Sequence, residues 1–195
     1  MVDPDSKAQQ AAVQATAAHV QAFFVGHDVE SIAYDLGSGR RGAVPDLRVM
    51  VVGPGPRSGA WAYVTAGCWS AVNVDGHGIE FVMTSQRREP ALVDLIAMVA
   101  FYHAAHRLDH WHTMPIGEPW LPGATCDHLL VSLPYLHGPN LERCELPAGH
   151  ARLLWLLPIT SAELAFRQQR GTEALEQRFD DVGIDPTDPL RLSVV

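Results

Sequence analysis

Apolar positions along this chain follow two periods, and the change from one to the other sets out its elements. In residues 6–25, SKAQQAAVQATAAHVQAFFV, Val13, Ala17, Val20 and Phe24 recur at helical steps among Ala and Gln, with no Gly or Pro. Such a run predicts a helix with one buried stripe, stopped at Gly26. A second helix is expected from about Glu89 to Arg107. Pro90 sits in its first turn, where a missing N–H costs nothing. Leu92, Ile96, Val99, His103 and His106 step by three or four and should share one face. The third helical signal is TSAE, Thr160 to Glu163, a capping box in which the Thr hydroxyl and the Glu carboxylate each accept a backbone N–H. Gly171 interrupts that helix, and Thr172 is placed to cap its second half, EALEQRFDD.

Between the helices the pattern turns β-like. LRVMVVGPG, AWAYVTAG and GIEFVMTS are short and β-branched or aromatic, with the turn-like NVDGHG between the last two. They predict an antiparallel meander. DHLLVSLP reads as a further strand. RLLWLLPI, apolar throughout and ending at a proline, reads as a strand buried on both faces. The tail GIDPTDPLRLSVV should be a loop ending in a strand-like segment. With no internal repeat and no low-complexity linker, residues 1–195 are expected to form a single α+β domain.

Composition narrows the function. A chain of 195 residues, 47% apolar and 18% charged, is globular and needs no staple. A net charge of -8 without a basic stripe excludes nucleic acid as a partner. Three cysteines, Cys68, Cys126 and Cys144, are odd in number and lack CxxC spacing, which predicts reduced thiols. MVDPDSK is too acidic and polar for a signal peptide, and ALVDLIAMVAFY is too short to span a bilayer. A soluble cytoplasmic protein is expected.

FYHAAHRLDHWHTM, Phe101 to Met114, holds four of the ten histidines. His103 and His106 are at i and i+3, with His110 four later, so a metal site on His103, His106 and His110 is one alternative, and a metal-dependent hydrolase would follow from it. The spacer AA, however, lacks the Glu that serves as general base in HExxH. The favoured expectation is structural histidines closing the apolar stripe, with no metal and no cofactor. GPGPRSG has two prolines in place of phosphate-binding N–H groups and reads as a hairpin loop. Cys126 and His128 are near neighbours with no third group to orient them, and NVDGHGIE lacks the alternating oxygen ligands of a calcium loop. No GxSxG, P-loop or GxGxxG occurs, so no catalytic residue is assigned.

Three segments together resemble the suppressor of fused (SUFU) family in its small bacterial form, over roughly residues 45–195. YVTAG, Tyr63 to Gly67, followed by IEFVMTS, looks like the family's YVT-x-G strand end and the strand after it. HWHTMPIGEPWLPG is similar to its Gly-His-Thr segment and Pro-rich loop, with Trp111 standing where the family usually has Gly. LLWLLPITSAELAFRQQRGTEALEQRF with the closing RLSVV resembles its strand, capping box, Gly-split helix and tail. The resemblance implies an α+β fold with a mixed, largely antiparallel sheet flanked by helices, and protein binding rather than catalysis. Animal members restrain a transcription factor, and small bacterial members have been proposed as immunity proteins that neutralise a toxin encoded nearby. An intracellular regulatory domain is the other binding alternative. The Pro- and Trp-rich loop supplies the candidate contact residues: His110, Trp111, His112 and Trp120. Of Trp61, Trp69, Trp111, Trp120 and Tyr135, two or fewer are expected to face solvent.

Overall fold

The computed structural model describes residues 4–35, 43–72 and 74–195. In chain order the elements are α1 (Pro4–Phe23), β1 (Val29–Ala33), β2 (Arg48–Val52), β3 (Trp61–Ala66), a 3₁₀ turn (Cys68–Ser70), β4 (His77–Ser85), α2 (Ala91–His106), β5 (Thr113–Pro115), β6 (His128–Ser132), α3 (Pro139–Glu142), β7 (Arg143–Leu146), β8 (Gly149–Ile159), α4 (Ser161–Arg170) and α5 (Thr172–Val182).

The expected meander is present: β2, β3 and β4 pair antiparallel in sequence. One eight-stranded sheet runs β1-β2-β3-β4-β8-β6-β5, with β7 also on β8. The sheet is mixed because β8 lies parallel to β4, from His77 beside His150 to Val82 beside Trp155. Along its other side β8 pairs antiparallel with β7 through Gly149–Arg152 and with β6 through Trp155–Ile159.

Helices cover both faces, which is why the inner strands lack a polar side. On one face Val49, Val51, Tyr63, Phe81, Met83, Leu154 and Leu156 pack on Leu92, Ile96 and Val99 of α2. On the other, Met50, Val52, Val64, Val82 and Leu153 pack on Val13, Val20 and Phe24 from α1 and its end. Farther along that face, Leu130, Trp155, Leu157 and Ile159 meet Leu175 and Phe179 of α5.

Four expectations need correction. Ala17 is only partly buried, whereas Val13, Val20 and Phe24 are buried as expected. His106 is exposed, although its spacing continues the buried stripe of α2. Thr172 is the first residue of α5 rather than its cap; Gly171 holds the cap position, and the Thr172 hydroxyl accepts from Arg167 Nε at 3.0 Å. The tail forms no strand. It is held through side chains instead, as described below.

Candidate functional site

The histidine run is divided among three environments. His103 is 1% exposed and sits edge-to-face on Phe81 at 5.3 Å. Burial lowers its pKa to about 4 against the opposing charge of Asp109, so the ring is neutral in the core. The chain then turns: Arg107 is left-handed and its N–H reaches His103 O at 2.8 Å, leaving His106 to stack on Tyr102 at 4.2 Å. His110 lies beyond that turn. Among the described residues no three His, Cys, Asp or Glu side chains come together as metal ligands. His128 bonds Asp127 at 2.8 Å, and Cys126 is buried with its pKa raised by burial.

After the turn, Asp109 organises a tight loop. His110 N–H donates to Asp109 Oδ1 at 2.7 Å, His112 N–H to Asp109 O at 2.9 Å, and Asp109 N–H to His112 Nδ1 at 3.2 Å. Trp111 N–H donates to Val131 O at 2.7 Å and Val131 N–H to His112 O at 2.8 Å, extending the β5–β6 ladder. Arg167 from α4 donates to Trp111 O. Caught between these bonds, Trp111 has φ 68°, a left-handed conformation that costs an L-residue with a large side chain about 1–2 kcal/mol. The residue is 39% exposed, and its ring lies on His110 at 4.8 Å. His112 is exposed. Trp120 is elsewhere: it is 4% exposed, and the Pro-rich loop folds it into the core beside α2. Of the five aromatics considered, Trp111 and Tyr135 are exposed, Trp61 is partly buried, and Trp69 and Trp120 are buried.

Sequence reading missed the surface beside Trp111. A groove of about 470 Å³ lies between the β6–β8 end of the sheet and α5. Trp155, Leu157, Phe179 and Ile184 form its apolar lining, and Tyr135 and Leu136, 61% and 50% exposed, stand at its mouth. Glu176 and Asp180 also line it, and Glu176 accepts from Ser132 Oγ at 3.3 Å. Burial, followed by the charges of Glu176, Asp180 and Glu142, raises the Tyr135 pKa, so its phenol sits in a negative field. The groove begins next to the Trp111 loop, because Trp111 N–H bonds Val131 O and the following residue, Ser132, lines the groove. Three separate segments, 132–136, 155–157 and 176–186, build this groove, so no local pattern announces it.

The model of the suppressor of fused protein (SUFU) family matches residues 44–192. The chain belongs to the suppressor of fused family. A protein of Neisseria gonorrhoeae FA 1090, described as a SUFU homolog, shares 32% identity and superposes with a TM-score of 0.82 over 95% of this chain and 98% of its own. The structure of a Sufu–Fu complex matches at 12% identity and a TM-score of 0.71, covering 94% of this chain and 92% of the other. Drosophila Suppressor of Fused matches at 14% and 0.62, with 94% of this chain spanning 51% of that one. No curated protein matches the chain.

Two of the segments that carry the SUFU resemblance turn out to build the fold. In YVTAG, Thr65 donates to Glu80 Oε2 at 2.6 Å and accepts the Phe81 N–H at 2.8 Å. Gly67, Cys68 and Trp69 aim their N–H groups at the same carboxylate from 2.9–3.1 Å. The strand end is thus a cradle for a fully buried Glu80. In PITSAE, both capping-box bonds form, and Glu163 also takes both Arg191 nitrogens at 2.7 Å and the Val194 N–H at 3.2 Å. The third segment, HWHT, places Trp111 on the surface.

Proposed function

We propose that this protein acts by binding another protein, not by turnover, and that it is a cytoplasmic immunity-type protein whose partner is a toxin. The observation that carries the binding reading is Trp111. A large aromatic side chain is kept partly exposed in a left-handed conformation, at a position where the family resemblance expects glycine. Strain retained at an exposed aromatic points to use of that side chain. The adjoining groove supports the reading. Its apolar lining and its Glu176 and Asp180 suit a partner that inserts an apolar side chain beside lysine or arginine. Three buried, free cysteines fit a reducing compartment. His110 and His112 belong to the proposed contact surface; Trp120 supports the loop from the core beneath it.

The test is co-expression with each toxin gene neighbouring this one in its genome, scored by growth rescue and by calorimetric titration of the purified pair. Rescue with stoichiometric binding is expected. Trp111→Gly should leave stability within about 1 kcal/mol, because strain relief offsets the greater freedom of the unfolded chain. Affinity should fall by about tenfold or more. Equal affinity in Trp111→Gly and Tyr135→Ala would remove this face from the interface. Binding without rescue would point to the regulatory alternative, and turnover of a substrate would sink the binding reading.

A further inference from the structure

A second histidine pair lies at the opposite end of β8, away from the Trp111 face. His77 opens β4 and His150 lies beside it in the parallel register of β8. Their Nδ1 atoms are 2.9 Å apart and their rings tilt by 49° with centroids at 4.2 Å. His77 is exposed and His150 half-buried, so the pair opens to solvent. On the far side of His150, Glu145 of β7 is its register partner, so the pair and a carboxylate stand in one row across three strands.

The backbone beneath the pair is rigid. His150 N–H donates to Gly76 O at 2.8 Å, and Trp69 Nε1 donates to His150 O at 3.1 Å. At Gly149, φ 135°, a Cβ would fall 1.9 Å from Gly76 O, so only glycine lets the two chains approach this closely. The rings are therefore brought together by covalent geometry and sheet pairing.

We propose that His77 and His150 form a two-imidazole site for a borderline divalent transition-metal ion, bound through both Nδ1 atoms, with water or a ligand from outside completing the shell. Two nitrogens each about 2.05 Å from one metal are about 2.9 Å apart at a right angle and about 3.3 Å apart in a tetrahedron. The observed separation fits a tetragonal Cu²⁺ or Ni²⁺ ion as it stands, and Zn²⁺ after a small opening. In the metal-free chain one Nδ1–H donates to the other Nδ1 at this distance, and a bound metal would take the place of that shared proton. The neighbouring cations are partnered: Arg143 with Glu145 at 2.6 Å and Arg152 with Glu142 at 2.8 Å.

Calorimetric titration of the full chain, free of any histidine tag, with NiCl₂, CuCl₂ and ZnCl₂ at pH 7.5 tests this. One ion per chain is expected, tightest for Cu²⁺. His77→Ala and His150→Ala should each weaken binding at least tenfold, while His106→Ala leaves it unchanged. Affinity should fall by a similar factor between pH 7.5 and pH 5.5. Because His77 is exposed, His77→Ala should keep the wild-type melting temperature. Nitrogen-15 NMR with Zn²⁺ should move both Nδ1 resonances to the metal-bound range and fix both Nε2 atoms as N–H. No binding up to 1 mM metal, unchanged affinity in His77→Ala, or coordination through Nε2 would each overturn the site.

Discussion

Glu80 and Glu163 are both fully buried, one in the meander half of the sheet and one where β8 enters α4, yet they are neutralised differently. Glu80 is surrounded by neutral donors, three backbone N–H groups and one hydroxyl. Glu163 has a guanidinium, docked side-on through two nitrogens, besides its backbone donors. The first arrangement is local, since every donor comes from residues 65–69. The second ties residues 160–163 to 191–194. A buried carboxylate in this fold therefore has one of two tasks: shaping a turn or anchoring the tail. Removing a donor should cost more in the second case, where a full opposite charge is lost.

The largest effect is expected from Arg191→Met. It strands Glu163 beside α4 and should cost about 3–5 kcal/mol, read from urea midpoints at equal slope. Glu163→Leu combined with Arg191→Met should lose less than the single variant, because no unpaired charge remains. A double variant as unstable as Arg191→Met would mean that the pair contributes more than charge balance.

Acid should act on the meander half through His103, which packs on Phe81, the residue after Glu80. A folded pKa of about 4 lies below the unfolded value, so the unfolded chain binds the proton first. Stability from the neutral ring is complete above about pH 6.5 and falls as pH drops toward 4, by up to about 3 kcal/mol. His137, also at about 4 through burial and the charges of Arg57 and His27, acts in the same direction. His103→Leu should flatten this part of the melting temperature–pH curve, and an unchanged slope would place the acid sensitivity elsewhere.

Glu80→Gln should cost about 1–3 kcal/mol, since its amide presents an N–H to donors that need an acceptor. Burial raises the Glu80 pKa against its four donors, so wild-type stability from this group is complete below about pH 4.5 and declines as pH rises through the folded value. The gap between wild type and variant should narrow over that range, opposite in sign to the His103 effect. The smallest change is Thr160→Ala. It removes one acceptor from the Glu163 N–H, at 3.1 Å, and should cost about 1 kcal/mol in denaturant midpoint.

What the sequence made legible followed burial. Strands β2, β3, β4, β6 and β8 are long enough and apolar enough to declare themselves, and the Thr160–Glu163 spacing is a local signal. Strand β1, VESIA, is an edge with no fully buried residue and shows no alternation. Strand β5 has three residues and ends in proline, and β7 has four. They pair because the sheet offers them an edge, which their own residues do not record. The α2 helix is apolar on nearly every side, so spacing could not tell buried His103 from exposed His106. At the candidate site, the loop supplying Trp111 was visible by composition. Which of its tryptophans would be buried depended on the loop's path, and the groove needed residues from 132 to 186 to meet.

The parallel pairing of β4 with β8 also bears on how the chain is made. Strand β4 leaves the ribosome about sixty residues before β8 begins, a delay of about 3–12 s at ordinary synthesis rates. For that interval the meander carries an open, apolar edge at Phe81 and Val82, residues fully enclosed in the finished protein. The nascent chain thus offers a template for strand exchange between neighbouring polypeptides on a crowded message, which closes only when Gly149–Ile159 arrives.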